Sequence, residues 1–237
     1  MSRIFKSEGI IFKSVKYSET SLILDIYTKE KGLQSFIVSG VRKAKSKTIN
    51  VYHPMNIVDV VAYTNQNGLS RIKEANLAVH YDKIRFDVIR SSIAAFMIDL
   101  LRNSIKEKEN DADLYRFIYH KLRAIDKSEK IAGTFPIVLC IELAPFLGFE
   151  LYNNYSIENQ YFDLRSGRFI DNDVRHNHIL SVDSSHALAK LIKEKSSFVP
   201  AKEMRQTLLD HLMTYYSLHI EGFKSLKSLG VLRAVLS

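Results

Sequence analysis

The hydrophobic period of this 237-residue chain changes near residue 80, and that change constrains the fold more than any other feature. Before it, apolar residues come in short runs rich in Ile, Val, Phe and Tyr, as β-strands do. Five runs are predicted as strands: residues 4–14, 21–28, 33–39, 57–64 and 69–79. Lys29-Glu30-Lys31-Gly32 and Asn65-Gln66-Asn67-Gly68 carry turn chemistry between the second and third and between the fourth and fifth runs. The third and fourth are joined by a longer basic loop, residues 40–54.

Beyond residue 80 the period is that of a helix. Ile89, Ile93, Phe96, Met97, Leu100 and Leu101 share one face, and Leu114, Phe117, Ile118, Leu122 and Ile125 define a second helix. Thr134 is placed to cap a third helix running to Gly148, which Pro145 should kink or shorten. Ser184 or Ser185 should cap a short helix through Lys193. Pro200 suits the first position of a last long helix with Met204, Leu208, Leu212, Tyr215 and Tyr216 on its inner side, ended by Gly222. Within residues 150–182, the segment 161–170 reads as a hairpin turning at Ser166-Gly167. The expected class is therefore α+β. An all-β domain over residues 1–80, a five-stranded barrel of OB type (an SH3-like barrel has the same period), is followed by a mainly helical domain over residues 81–237 with a small β-hairpin insertion.

Composition narrows the function. Apolar residues are 46% and charged residues 25%, values of an ordinary globular chain rather than a disordered one. A chain of this length buries about 70% of its unfolded surface and needs no staple. The single Cys140 excludes an internal disulfide and a Cys-rich zinc site. Arg3, Lys6 and Glu8 interrupt the N-terminus, and the most apolar stretch, residues 135–149, contains Glu142 and Pro145 and is too short for a span of ~20 residues. The chain is expected in the cytoplasm, with no membrane partner.

The net charge of +8 is unevenly spread. Residues 1–80 hold twelve Lys and Arg against six Asp and Glu, whereas residues 81–237 hold twenty-two against twenty. Arg42, Lys43, Lys45 and Lys47 lie in a stretch with no acidic residue from Leu33 to Val58. A polyanion site should centre there, since barrels of this type bind strands across one face and its flanking loops. Phe5, Phe12, Tyr17, Tyr27, Phe36, Tyr52 and Tyr63 are the aromatics of this region. Alternation sends about half into the core and leaves two or three for stacking on bases. Arg3, Lys6, Lys13, Lys16, Arg71 and Lys73 extend the track as strand register allows.

Catalytic signals are weak. No GxxxxGK[ST], GxGxxG or GxSxG motif occurs. Cys140 sits in an apolar run and reads as a buried, inert thiol. His176 and His178, with Asp171, Asp173 and Asp183, are the nearest approach to a metal pair and read better as a polar loop. His211 and His219 read as helix-packing residues.

Two segments carry a resemblance. Tyr17-Ser18-Glu19-Thr20-Ser21-Leu22-Ile23-Leu24, then Tyr27-Thr28 with Gly32, then Gly40-Val41-Arg42-Lys43-Ala44-Lys45-Ser46, resemble the opening of the bacterial DNA repair protein RecO family. Leu209, Leu212, Tyr215-Tyr216, His219-Ile220, Gly222 and Lys224-Ser225-Leu226-Lys227-Ser228 resemble that family's last helix and its end. The resemblance implies an N-terminal OB domain, a helical C-terminal domain and a mediator of recombinational repair rather than an enzyme. It implies binding of single- and double-stranded DNA and annealing of complementary strands. It also implies loading of RecA onto strands coated by single-stranded DNA-binding protein (SSB), with RecR and in some pathways RecF, and hence a place at the nucleoid. It implies engagement of the acidic, apolar C-terminal tail of SSB by the helical domain. Arg116, Lys121 and Arg123 on the second helix, or Lys202 and Arg205 on the last, are the candidate cations for that tail. Many relatives hold zinc with four Cys in the helical insertion; residues 151–179 contain none, so a zinc-free variant without a cofactor is expected. Two other readings stay open: an adaptor whose barrel binds protein, and a hydrolase using His176, His178 and nearby Asp residues.

Overall fold

The computed structural model describes residues 4–42, 48–65, 68–105, 110–171 and 176–236. They form two compact units, Met1–Ser128 and Glu129–Ser237. The boundary expected at residue 80 is where strands give way to helices; the first compact unit extends beyond it through two helices.

In the first unit β1 (Ile4–Lys16), β2 (Leu22–Thr28), β3 (Gly32–Val38), β4 (Ile57–Tyr63) and β5 (Ser70–Leu77) close into a barrel in the order β1-β2-β3-β5-β4. β1 pairs antiparallel with both β2 and β4, and β3 meets β5 in parallel through Phe36↔Ser70 and Ile37↔Arg71. This connectivity is that of an OB barrel, which decides between the two barrel types that share a period. A short 3-10 turn, Ile49–Tyr52, lies in the connection between β3 and β4 and drops Tyr52 into the core. Phe5, Ile11, Leu24, Ile26, Phe36, Val58 and Val60 fill the interior, each under a tenth exposed.

Closure depends on β1. Gly9 faces Thr28 of β2 and Val58 of β4 at once, where the strand passes from one partner to the other. A Cβ on Gly9 would lie 2.6 Å from Ile26 Cγ2 and 3.3 Å from the Tyr27 carbonyl oxygen, so glycine is needed for close approach. A bulge between Ile11 and Lys13 then re-aims the strand. Phe12 stacks on Tyr27 at 5.5 Å, and Tyr27 on Tyr115 at 6.3 Å.

Helices α1 (Val88–Ser104) and α2 (Ala112–Lys127) are capped by Asp87 and Asp111, each accepting two backbone N–H bonds. The buried carboxylate of Asp126 accepts from the backbone N–H groups of Asp82, Lys83 and Ile84. Burial alone would raise its pKa, yet those three donors and Lys127 hold it below the usual value. Arg90, also buried, donates to the carbonyls of Ile125 and Ser128. Asp126 thus ties the end of α2 to the segment leaving the barrel, and Arg90 ties it to α1.

The second unit contains α3 (Phe135–Leu143), the hairpin β6 (Tyr161–Asp163) and β7 (Arg168–Ile170), α4 (Val182–Glu194), α5 (Lys202–His219) and α6 (Ser228–Val235). Several helix ends differ from expectation. Thr134 occupies the cap position of α3 but makes no capping bond; its hydroxyl is buried and unpaired. The helix stops at Leu143, two residues before Pro145, and a 3-10 turn leads to left-handed Gly148. Ser181, not Ser184 or Ser185, caps α4; the Ser185 hydroxyl oxygen instead accepts from the Phe162 N–H of the hairpin. Pro200 precedes the cap residue Ala201 rather than starting α5, and its carbonyl accepts from Arg205. Among the described residues, no helix is long and apolar enough to cross a membrane.

Gly9→Val forces a branched side chain into Ile26, which is itself fully buried. We expect a loss of about 1–3 kcal/mol or more in urea unfolding, with little change for the same substitution at exposed Gly68.

Candidate nucleic-acid interface

Strand register lines up one outward row across the whole barrel. Val15 faces Ile23, Ile23 faces Ile37, Ile37 faces Arg71, Arg71 faces Tyr63 and Tyr63 faces Ile4. None is buried, and Ile4 (60%), Val15 (39%) and Tyr63 (37%) are exposed large apolar side chains. The neighbouring row contains Lys13, Asp25 and Ser35. Lys13 lies 3.7 Å from Asp25, whose other bond is from Ser35 Oγ at 2.7 Å, so this cation is partly compensated on the face.

The loops add to that surface. Lys16 ends β1 and Tyr17 follows it, both exposed, Tyr17 at 63%. Arg42 supports this turn: its Nη1 donates to the Ser18 carbonyl at 2.7 Å and its backbone N–H to the Thr20 carbonyl at 3.3 Å. Arg42 thus holds the β1–β2 turn that carries Tyr17. Lys43, Lys45 and Lys47 lie outside the described residues, as does Arg3. Lys73 is exposed at a register shift of β5 opposite Val61 and Ala62, and Lys6 is exposed on β1. Of the seven barrel aromatics, Phe5, Phe12, Tyr27, Phe36 and Tyr52 are buried, leaving Tyr17 and Tyr63 for ligands. Val15 was not legible as a surface residue, because its facing cannot be assigned before the bulge at Phe12 is known.

The cations proposed on helices separate into two groups. Arg116 pairs with Asp113 on α2, and Lys121 lies 5.3 Å over the Phe117 ring; Arg123 is half-buried on the same helix. Lys202 and Arg205 instead stand at an apolar cleft formed with Gly133, Pro136, Ile137, Gln206, Leu209, Leu232, Arg233 and Leu236. The cleft is small and partly open to solvent, room for a side chain rather than a folded partner. Arg233 is paired with Asp210. The contribution of α6 was missed in the sequence, where residues 228–235 follow Gly222 and show only a short apolar pattern.

The insertion is held without thiolates. Asp163 accepts from the backbone N–H groups of Arg165 (2.8 Å) and Ser166 (3.2 Å) and lies 3.4 Å from His176 Nε2. Asn154 brackets β7 by bonding both the carbonyl and the N–H of Phe169. Phe162 and Phe169 pack edge to face at 4.9 Å. His178 turns its backbone N–H to His176 Nδ1, and Asp173 lies outside the described residues. No group of three His, Cys, Asp or Glu among the described residues is placed to hold a metal. His219 stacks on Phe149 at 5.2 Å with Nε2 3.0 Å from the Leu164 carbonyl oxygen, a packing role.

An OB barrel with an apolar, aromatic and cationic outer row, followed in the chain by a helical unit, belongs to the class of barrels that in other proteins bind oligonucleotides or oligosaccharides on that face. The chain matches the family model "Recombination protein O N terminal" over residues 1–81 and "Recombination protein O C terminal" over residues 85–229. It is 32% identical to the DNA repair protein RecO of Flavobacterium psychrophilum, covering 98% of this chain and 99% of that one. It is 33% identical to that of Flavobacterium johnsoniae over the same shares and 30% identical to that of Phocaeicola vulgatus. The chain belongs to the RecO family of DNA repair proteins.

Burial raises the Cys140 thiol far above its ordinary value. Alkylation of Cys140 by a maleimide should be negligible in native buffer and appear only along the unfolding transition of the second unit; fast native labelling would contradict its burial.

Proposed function

We propose that the chain is a non-enzymatic mediator of recombinational repair. Its barrel binds single- and double-stranded DNA, it anneals complementary strands, and with RecR it helps load RecA onto SSB-coated strands, RecF being a further partner of that pathway. The observation that carries this reading is the outward row from Val15 to Tyr63, with Arg71 within it and Tyr17 and Lys16 beside it. Apolar and aromatic faces suit unpaired bases, which stack regardless of sequence, and cations suit the phosphates between them. Arg42, Lys43, Lys45, Lys47, Lys13, Lys16, Arg71 and Lys73 release counterions on binding and give affinity without base reading. Two anionic strands screened on one such surface meet with less repulsion, which is what annealing requires.

For the SSB tail, Lys202 and Arg205 are the favoured cations, because they border an apolar cleft that can take the tail's last side chain while they take its carboxylate. Arg116, whose charge is met by Asp113, is less suited.

Oligonucleotide titration over a range of salt tests the DNA reading. Replacing Arg42, Lys43, Lys45 and Lys47 with Ala should lower the salt slope by about 0.7 per lost phosphate contact on single strands. Tyr17→Ala with Tyr63→Ala should weaken single-strand binding by about 1–3 kcal/mol per unstacked base and spare duplex binding. Unchanged affinity and slope in both variants would favour the protein-binding adaptor. Annealing of SSB-coated strands with and without RecR reads activity and partner together. For the tail, an acidic peptide with a free aromatic C-terminus should bind about tenfold or more weakly to Arg205→Ala, and its C-terminal amide should bind wild type equally poorly.

A further inference from the structure

Arg205 does not simply project from α5 into solvent. Its Nη1 donates to the Pro200 carbonyl at 3.0 Å, and its guanidinium lies against the turn that precedes α3. A Cβ built on Gly133 would stand 3.1 Å from Nε, 3.2 Å from Cζ and 3.3 Å from Nη2, tighter than ordinary van der Waals contact on three atoms of the group at once. Gly133 is not in the left-handed region, so its backbone does not require glycine. A side chain there would press on the face of the guanidinium, which would have to give by a few tenths of an ångström.

The surroundings give that approach a purpose. Lys202 and Arg205 are three residues apart and share one face of α5. The third cation at the cleft, Arg233, is already paired with Asp210. Leu209 of α5 and Leu232 of α6 are buried and form the apolar floor with Pro136 and Ile137. An anion entering here therefore meets Lys202 and Arg205 first. A planar guanidinium held on one side by backbone and at one edge by a carbonyl presents its remaining N–H groups in a set direction. A carboxylate takes such a fork through two parallel bonds.

We infer that Gly133 is a positioning residue: by lacking a side chain it lets Arg205 lie against the turn, oriented to receive the terminal carboxylate of an acidic peptide whose last side chain enters the cleft. This rests on the tail-binding reading above and deepens it. Gly133 contributes no bond of its own; its whole effect passes through Arg205.

The test is a double-mutant cycle in the full chain, read by titration of the acidic, aromatic-ended peptide and its C-terminal amide. Gly133→Ala should weaken the free-acid peptide about threefold or more, and Gly133→Val should approach the loss seen for Arg205→Ala. Amide binding should not move. In an Arg205→Ala background, Gly133→Ala should add nothing, because the group it displaces is gone. Arg205→Lys, a slim point charge without the fork, should bind more weakly than wild type and be insensitive to Gly133→Ala. Urea unfolding of each variant separates a folding defect from a binding one. If Arg205→Ala itself leaves peptide binding unchanged, the tail reading fails. If Arg205→Ala weakens binding but Gly133→Ala does not, or if their effects add, the positioning role is overturned while the tail reading stands.

Discussion

The barrel depends on one strand serving two partners. β1 is 13 residues long against seven or eight for the other strands of the sheet, and it closes the sheet by pairing β4 with its first half and β2 with its second. The crossover at Gly9 needs a backbone with no side chain, and the bulge after Ile11 needs one residue more than its partner. With both in place no strand edge is left open, and the outer residues of all five strands fall into register. The candidate interface follows from closure: Val15, Ile37 and Tyr63 are distant in the chain and become one row only because the sheet meets itself.

Within the first unit the helices bury apolar faces (Ile93, Phe96, Met97 and Leu100 of α1, Leu114, Ile118, Leu122 and Ile125 of α2), and polar contacts fix their ends. Asp126 gathers three consecutive N–H groups, and Arg90 takes two carbonyls at the end of α2. All three bonds of Asp126 fall on Oδ1; Oδ2 makes no hydrogen bond and lies 3.8 Å from Lys127 Nζ. Here the donors are backbone groups of a connection that has no ladder of its own. Tyr115 adds a bond to Glu8 at 3.0 Å and a stack on Tyr27, whose hydroxyl is pushed up to about 12 by burial and by the charge of Asp111.

The second unit meets a different problem, an insertion without cysteines. A small hairpin of three-residue strands cannot stand alone in water. It is fastened by Asp163 within its turn, by Asn154 across its edge and by Phe162 and Phe169 beneath. Gly167, left-handed at φ 68, brings that turn against Tyr215, where a Cβ would stand 2.7 Å from the hydroxyl oxygen. Tyr215 in turn donates to the Phe149 and Glu150 carbonyls. The insertion is thus carried by hydrogen bonds and ring contacts on α5.

By itself the sequence determined the change from strand to helix near residue 80, the five strands, the turn glycines and the concentration of positive charge before that point. These are local properties, written in periods of two and 3.6 and in residue type. It also determined that no more than a few barrel aromatics would remain outside. It did not reveal which ones, because a single bulge at Phe12 reverses the facing of everything after it on β1. Capping by Ser181 in place of Ser184 or Ser185 was likewise hidden, since Ser185 is held by the distant Phe162. Only the tertiary structure placed Tyr17 and Tyr63 on the surface, set Arg42 under the Tyr17 turn and drew Lys202 and Arg205, but not Arg116, to an apolar cleft. Such assignments depend on contacts between residues far apart in the chain, and no local pattern encodes them.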